Sequence, residues 1–503
     1  MNREFLLNIL FLVFINLLIK PFFIFGIDLT VQNRVPDGDY GLYFTLFNFT
    51  YLFQILNDFG IQNFNNRNLS QHPQLLPKYF PNLLLLKGLL GIVYFVLTAA
   101  VAWGIAGYDQ RAMGLLSILL INQILTQLIF FLRSNISGLG YYRVDSVLSS
   151  LDKLLMLGTC SLVLWANPFP MVFSVELFAL AQTVALAATA LTAFWVMRSK
   201  ADFPVRPSWL GHWRSGRLAL LFLLKKSYPF ALVILLMTAY TRLDAVILER
   251  MLPDGVLHAD VYAGAYRLLD ACNMLGYLFA SLLLPMFARL LRRQPDGTTV
   301  RPLVSLSFKM IWVGSLTLVA AVFFARQPLV ELMMPAKASA YRWEVLGVLI
   351  WTFVPVSVTY IFSTLLTAHE RLMQMNRFFV GGLALDILLN VLLIPRWQAV
   401  GSAWATLGTQ LFIALAMVWL CVRHFSFRPS RRGLVQVAGF AGWLLLADWL
   451  IFTKTGWAWQ AQFGGALAAG GLGFLAFKMV DVKQLRSLVA PASGSGNGPA
   501  RRL

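Results

Sequence analysis

Charged residues inside long apolar stretches are the positions at which this sequence can do chemistry. Lys20, Arg242, Arg267 and Lys309 stand in runs long enough to cross a bilayer, as do Asp152 with Lys153, Asp244, Asp270, and Asp386 with Asn390. A charge at mid-bilayer costs about 2.5–3.5 kcal/mol on insertion scales, so it is paired or it faces a water-filled cavity. Arg267 and Asp270 lie three residues apart and share a helical face, so they either pair with each other or face the cavity. Lys20 and Lys309 have no acid nearby in the sequence, which favours a cavity; Lys20 also precedes Pro21, which frees a backbone carbonyl and kinks a helix. Lys87, near the end of its stretch, is expected to snorkel to the interface. A chamber with surplus cations attracts a diphosphate or an acidic sugar, because guanidinium groups grip phosphate oxygens in pairs and lysine adds a point charge. The expected cationic lining is Lys20, Arg67, Arg242, Arg267 and Lys309.

Other chemistries have little support. His72, His212, His258, His369 and His424 form no metal-ligand spacing, and no phosphate-binding glycine loop followed by Lys-Ser or Lys-Thr occurs. Cys160, Cys272 and Cys421 lie singly in apolar runs, where a thiol is ordinarily a small core residue. Asp37 and Asp39 resemble the acidic pair of a lipid-sugar glycosyltransferase, but a Pro-Asp-Gly turn accounts for them. No catalytic residue, metal or cofactor is expected.

The elements that position these charges follow from composition. Of 503 residues, 58% are hydrophobic and 13% charged, whereas soluble domains carry about 25% charge. Stretches such as 83–105, 113–132, 178–197 and 303–325 match the thickness of a bilayer core. About fourteen spans are expected, near 5–27, 40–62, 83–105, 113–133, 147–166, 174–197, 227–249, 261–288, 303–325, 345–367, 376–394, 399–421, 434–452 and 463–480. The second holds Asn48, Gln54, Asn57 and Asp58, so it must face protein or water. The net charge of +19 resides mostly in short loops, and no basic platform interleaved with aromatic residues lies outside the spans, which argues against nucleic acid. Alternate loops carry about 27 basic residues on one side and about 8 on the other, which puts the first side and both termini in the cytoplasm.

The segment 198–226 combines seven basic residues with Trp209 and Trp213, a composition suited to lying on anionic lipid, and it divides the spans into halves. Pro21-Phe22 and Arg34-Val-Pro-Asp-Gly38 in the first half correspond to Pro229-Phe230 and Arg250-Met-Leu-Pro-Asp-Gly255 in the second. Both pairs recur six spans apart, as in a parallel repeat. The expected organisation is an N-terminal six-helix bundle over 1–200, a basic amphipathic linker over 201–226, a second six-helix bundle over 227–425, two additional transmembrane helices over 426–485 and a disordered tail over 486–503.

Four stretches carry a family resemblance. The first is Arg34-Val-Pro-Asp-Gly-Asp-Tyr-Gly-Leu-Tyr43 with Asn57-Asp-Phe-Gly-Ile-Gln-Asn-Phe-Asn-Asn-Arg67. The second is Arg242-Leu-Asp-Ala-Val-Ile-Leu248 with Tyr262-Ala-Gly-Ala-Tyr-Arg-Leu268. The third is Leu283-Leu-Pro285. The fourth is Asp386-Ile-Leu-Leu-Asn-Val-Leu-Leu-Ile-Pro395 followed by Val400-Gly-Ser-Ala-Trp-Ala-Thr406 and Gln410. In order and spacing they resemble the polysaccharide flippase branch of the multidrug/oligosaccharidyl-lipid/polysaccharide transporter superfamily, over roughly residues 5–425. Ala263-Gly264-Ala265, Ser402 and Trp404 depart from its pattern.

The resemblance implies an all-α polytopic membrane protein with two pseudo-symmetric six-helix bundles around a central cavity and two C-terminal helices. It implies export of undecaprenyl-diphosphate-linked repeat units for O-antigen, capsule or exopolysaccharide across a bacterial inner membrane by alternating access. Coupling to a proton or sodium gradient would need a carboxylate, and Asp244, Asp270 and Asp386 are the candidates. Expected partners are the lipid-linked oligosaccharide, membrane lipids and, in the assembly pathway, a polysaccharide polymerase and assembly proteins. Two readings compete: a multidrug or cation extruder of the same superfamily, and a membrane oligosaccharide polymerase or glycosyltransferase. The second would need more external chain than the short loop near 326–344 provides.

Overall fold

A chain immersed in lipid must satisfy every backbone polar group internally, and helices do so within one segment. The computed structural model bears this out: helix is the only regular structure among the described residues. These are 21–61, 76–166, 173–200, 213–293, 299–369, 371–425 and 431–479, with the isolated positions 19 and 427. A π-helical turn, Phe23–Asp28, leads into α1 (Leu29–Arg34), followed by α2 (Asp39–Leu52), α3 (Gln54–Asp58), α4 (Leu76–Gly104), α5 (Gln110–Gly138), α6 (Tyr142–Ser161), α7 (Val175–Lys200) and α8 (Trp213–Met251). Then come α9 (Gly255–Arg293), α10 (Arg301–Phe324), α11 (Arg326–Met333), α12 (Ala340–Leu349), α13 (Phe353–Ala368), α14 (Leu372–Phe425), α15 (Arg431–Lys454) and α16 (Trp459–Ala476).

Ten helical segments among the described residues are long and apolar enough to cross a membrane, which makes this a multi-pass membrane protein. One of the ten, α14, holds the eleventh and twelfth expected spans. Its 54 residues are broken at Gln398, whose φ of 53° lies where non-glycine residues are uncommon, three residues after Pro395. The second expected span is the pair α2–α3, interrupted at Phe53. Its Asn48, Asn57 and Asp58 are buried against protein, as their polarity requires. The fourteenth is α16. Most of the first span lies outside the described residues, as does 201–212 of the linker; from Trp213 the chain is already helical and continuous with the seventh span.

Two compact units are formed. The first takes in Met1–Leu278, Arg326–Thr352 and Arg371–Ile413; the second takes in Phe279–Ala325, Phe353–Glu370 and Ala414–Leu503. Within the first, α2 packs on α8 and on the start of α9. Gly41 permits that approach, because a Cβ there would lie 2.0 Å from the carbonyl oxygen of Val256 and 2.7 Å from the amide of Asp260. Backbone cannot yield as a side chain can, so Gly41→Ala is expected to cost at least about 1–3 kcal/mol, read as a lowered melting temperature of the purified protein. In the turn between α4 and α5, Tyr108 lies under the Arg250 guanidinium, 3.7 Å from ring centre. Burial pushes its hydroxyl up to about 12, so it keeps its proton and donates to Glu249 at 3.4 Å. In the second unit α10 packs against α13, α15 and α16, where Thr317 meets Gly470 and Phe324 stacks on Phe452.

Candidate cation and carboxylate sites

Arg267 on α9 is buried, yet its partner is not Asp270. Its Nε lies 3.3 Å from a carboxylate oxygen of Asp28, its Nη1 donates to Gln32 at 2.7 Å, and its guanidinium covers the Tyr40 ring at 3.8 Å. Gln32 in turn donates to the Asp260 carboxylate at 2.9 Å, and Asp260 is ion-paired with Arg342. The chain of contacts Asp28–Arg267–Gln32–Asp260–Arg342 thus ties α1 and the turn before it to α9 and α12. The Arg267–Asp270 pair does not form, because three-residue spacing fixes a shared face but not what packs on it. A nearer acid on another helix takes the guanidinium. The Nη2 of Arg267 has no hydrogen-bond partner, a buried donor left over in a site of mixed charge.

Asp270 belongs instead to Arg242 on α8, at 3.7 Å. Arg242 also donates to the Asn48 side chain at 3.3 Å, and its guanidinium lies 5.4 Å from the ring centres of both Tyr51 and Tyr266. The two charged side chains are partly open, at 22% for Arg242 and 39% for Asp270. Arg242 is therefore a cation within a spanning helix, framed by aromatic rings, whose ion pair is longer than a hydrogen bond. A partly open guanidinium of this kind can grip phosphate oxygens. Lys309 lies in the second unit, where it donates to Gln436 at 3.0 Å. Lys20 and Arg67 lie outside the described residues.

Asp244 and Asp386 meet in a buried polar cluster. Asp244 accepts hydrogen bonds from Thr406 at 2.6 Å, Asn390 at 2.7 Å and Tyr262 at 3.1 Å. Asp386 accepts one from Thr409 at 3.2 Å and its other oxygen has no donor, while Asn390, which donates to Asp244, also donates to the Asp386 backbone carbonyl at 3.0 Å and so joins the two acids in one cluster. Two adjacent carboxylates repel unless a proton or a cation lies between them. Here α8 supplies Asp244, and the two parts of α14 on either side of Gln398 supply Asp386 with Asn390 and Thr406 with Thr409. The break in α14 brings two facing segments of one helix together around the pair. Asp270, the third carboxylate candidate, is not in this cluster; its partner is Arg242.

Lys87 does not snorkel. It is 5% exposed and ion-paired with Asp58 on α3, because α3 packs along α4 and brings an acid to it. Asp37 pairs with Lys337 at 3.0 Å, and Arg111 grips Asp39 through both carboxylate oxygens at 2.9 and 3.0 Å. Lys153 pairs with its neighbour Asp152 at 3.5 Å. Asp28, Gln32, Asp260 and Arg342 were not singled out from the sequence. Asp28 and Gln32 are spaced four apart at the end of an apolar run, which was a readable signal; the acids Asp260 and Asp270 on one helix were another.

The profile of the polysaccharide biosynthesis protein family matches residues 5–291. No curated protein sequence matches the chain. Among solved structures, the fold is similar to that of the lipid II flippase MurJ in an inward closed conformation, with a TM-score of 0.68 at 12% identity over 96% of this chain and 98% of that one. It is also similar to an inward-facing multidrug resistance MATE family transporter of the MOP superfamily, with a TM-score of 0.58 at 12% identity over 80% of this chain and 94% of that one. A third is a MOP superfamily transporter from Pyrococcus furiosus described as having a binding pocket of reversed polarity, with a TM-score of 0.57 at 15% identity over 84% and 96%. At these identities the likeness is one of fold, and it agrees with the helical membrane architecture. With more than half of its length matched by the family profile, the chain belongs to the polysaccharide biosynthesis protein family.

Proposed function

We propose that the protein is a flippase that carries undecaprenyl-diphosphate-linked oligosaccharide repeat units from the cytoplasmic to the external face of a bacterial inner membrane. The observation that carries this reading is Arg242: a partly open guanidinium within a spanning helix, between two tyrosines and 3.7 Å from Asp270. It suits an anionic diphosphate at membrane depth, where a multidrug extruder for organic cations would want the opposite sign. Membership of a polysaccharide biosynthesis family and a fold shared with a lipid II flippase point the same way. The protein acts as a transporter rather than an enzyme, its cargo product serving a polymerase and assembly proteins on the far side.

In this reading the two halves of the chain, 1–200 and 227–425, rock about a central site, and the tail of the cargo stays in lipid. The Asp244–Asp386 pair couples the cycle to an ion gradient by taking a proton or a monovalent cation between its carboxyl groups. Both termini are cytoplasmic. A reporter fused after Lys200 is then expected in the cytoplasm and one fused after Asp254 outside; matching locations would break this topology. The function is tested by deleting the gene in its host. Completed lipid-linked units should collect on the cytoplasmic face as surface polysaccharide is lost, whereas unpolymerised units on the outer face would overturn the reading.

A further inference from the structure

The first compact unit contains a cavity of about 430 Å³ that none of the cation or carboxylate sites uses. It lies among α3, α5, α6, α8 and α9, within the roughly 300–1,000 Å³ typical of small-molecule sites. Its charges cancel locally. Asp58 on its wall is held by Lys87, and Arg133 pairs with Asp145 at 2.8 Å. The remaining polar lining is neutral: the carboxamides of Gln54 and Gln127 and the hydroxyls of Ser134 and Ser137. Gln127 is 5% exposed and its Oε1 has no hydrogen-bond partner, so a buried acceptor on the cavity wall waits for a donor. Phe59, Phe130 and Tyr277 add aromatic surface, and α3 ends beside them in two left-handed residues, Phe59 at φ 48° and Gly60 at φ 75°.

We infer that this cavity recognises neutral sugar residues of the cargo, an assignment that rests on the flippase reading above. A diphosphate asks a site for donors alone, and an organic cation asks for acceptors alone. This wall offers both in a charge-compensated setting, the pattern satisfied by hydroxyl groups, each of which donates and accepts. Aromatic surface suits the apolar C–H face of a pyranose ring. The cavity is also placed to serve the same cargo as Arg242. Ile234 on its wall precedes Arg242 by eight residues on α8, and Tyr277 follows Asp270 by seven on α9. At 1.5 Å rise per residue, both routes put the cavity about 10–12 Å along the helices from the cation. One head group can therefore place its diphosphate at Arg242 and its first sugars here, so the site selects which glycan is carried.

Binding to the full-length protein in lipid nanodiscs tests this, with undecaprenyl diphosphate as one probe and its N-acetylglucosamine, galactose, glucose and glucuronate conjugates as the others. The wild type is expected to bind at least one neutral conjugate about ten-fold more tightly than the bare diphosphate, with no such gain for glucuronate. Gln127→Leu, and Tyr277→Ala at a position 64% exposed and so safe for folding, should each remove about three- to ten-fold of that preference while the bare diphosphate binds as before. Arg242→Ala should weaken all probes together. Equal affinity of the wild type for bare and sugar-bearing probes, or variants that weaken every probe alike, would overturn the sugar assignment while leaving the flippase reading in place. A wild type that binds none of the probes would remove both.

Discussion

Arg242→Ala is expected to reduce translocation of a diphosphate-linked cargo by about 10- to 100-fold while leaving the protein folded and inserted. A charge-assisted hydrogen bond contributes about 1.5–3 kcal/mol, and every 1.4 kcal/mol is a factor of ten. The structural cost is expected to be smaller than for a fully buried pair, because Arg242 and Asp270 are partly open and 3.7 Å apart. Arg242→Lys should fall between, keeping the charge but losing the planar fork. Arg267→Ala provides the contrast. Its guanidinium is buried between Asp28, Gln32 and Tyr40, so removing it leaves Asp28 short of its cation and should destabilise the protein by about 3–5 kcal/mol. Thermal melting alongside transport separates the two: transport lost at unchanged melting temperature for Arg242→Ala, both lost for Arg267→Ala. Normal transport with Arg242 replaced would show that this cation does not meet the cargo.

Asp386→Asn is expected to abolish gradient-stimulated transport, a loss of about ten-fold or more, with little change in stability. The argument rests on which oxygens are in use. One Asp386 oxygen accepts from Thr409 and the other has no donor, so an amide fits the same space and can keep the Thr409 contact. What disappears is the ability to take up a proton or hold a cation against Asp244. Asp244→Asn should be the harsher change, since its oxygens together accept from Thr406, Asn390 and Tyr262. An amide nitrogen there would confront a donor with a donor, at about 1–3 kcal/mol. Gradient stimulation retained in Asp386→Asn would remove the carboxyl pair from the coupling mechanism.

Both expectations concern residues whose importance was visible in the sequence and whose partners were not. The membrane architecture was legible because long apolar runs have few other uses, and the buried polar positions of α2 and α3 were legible because lipid cannot satisfy them. Asp244, Asp386 and Asn390 stood out as polar groups in spans. That Asp244 and Asp386 would meet was not readable, since they are 142 positions apart on different helices, and the threonines that serve them come from beyond the backbone break at Gln398. The pairing of Asp270 with Arg242 rather than Arg267 has the same origin: helical spacing sets the face a side chain uses, and tertiary packing sets what that face meets. Lys87 shows the limit most simply. Its position near a span end suits snorkelling, but Asp58 on a neighbouring helix takes it as an ion pair. The neutral cavity had no sequence signature, because its wall combines five helices with ordinary carboxamide, hydroxyl and aromatic residues.

The most direct measurement is translocation by the purified protein alone. A fluorescent undecaprenyl-diphosphate oligosaccharide is placed in one leaflet of proteoliposomes, and its appearance in the other is followed with a membrane-impermeant quencher. The account predicts protein-dependent transfer that rises when an ion gradient is imposed and falls by at least about ten-fold with Arg242→Ala. Transfer no faster than in protein-free vesicles, with the folded protein present and a gradient applied, would contradict it.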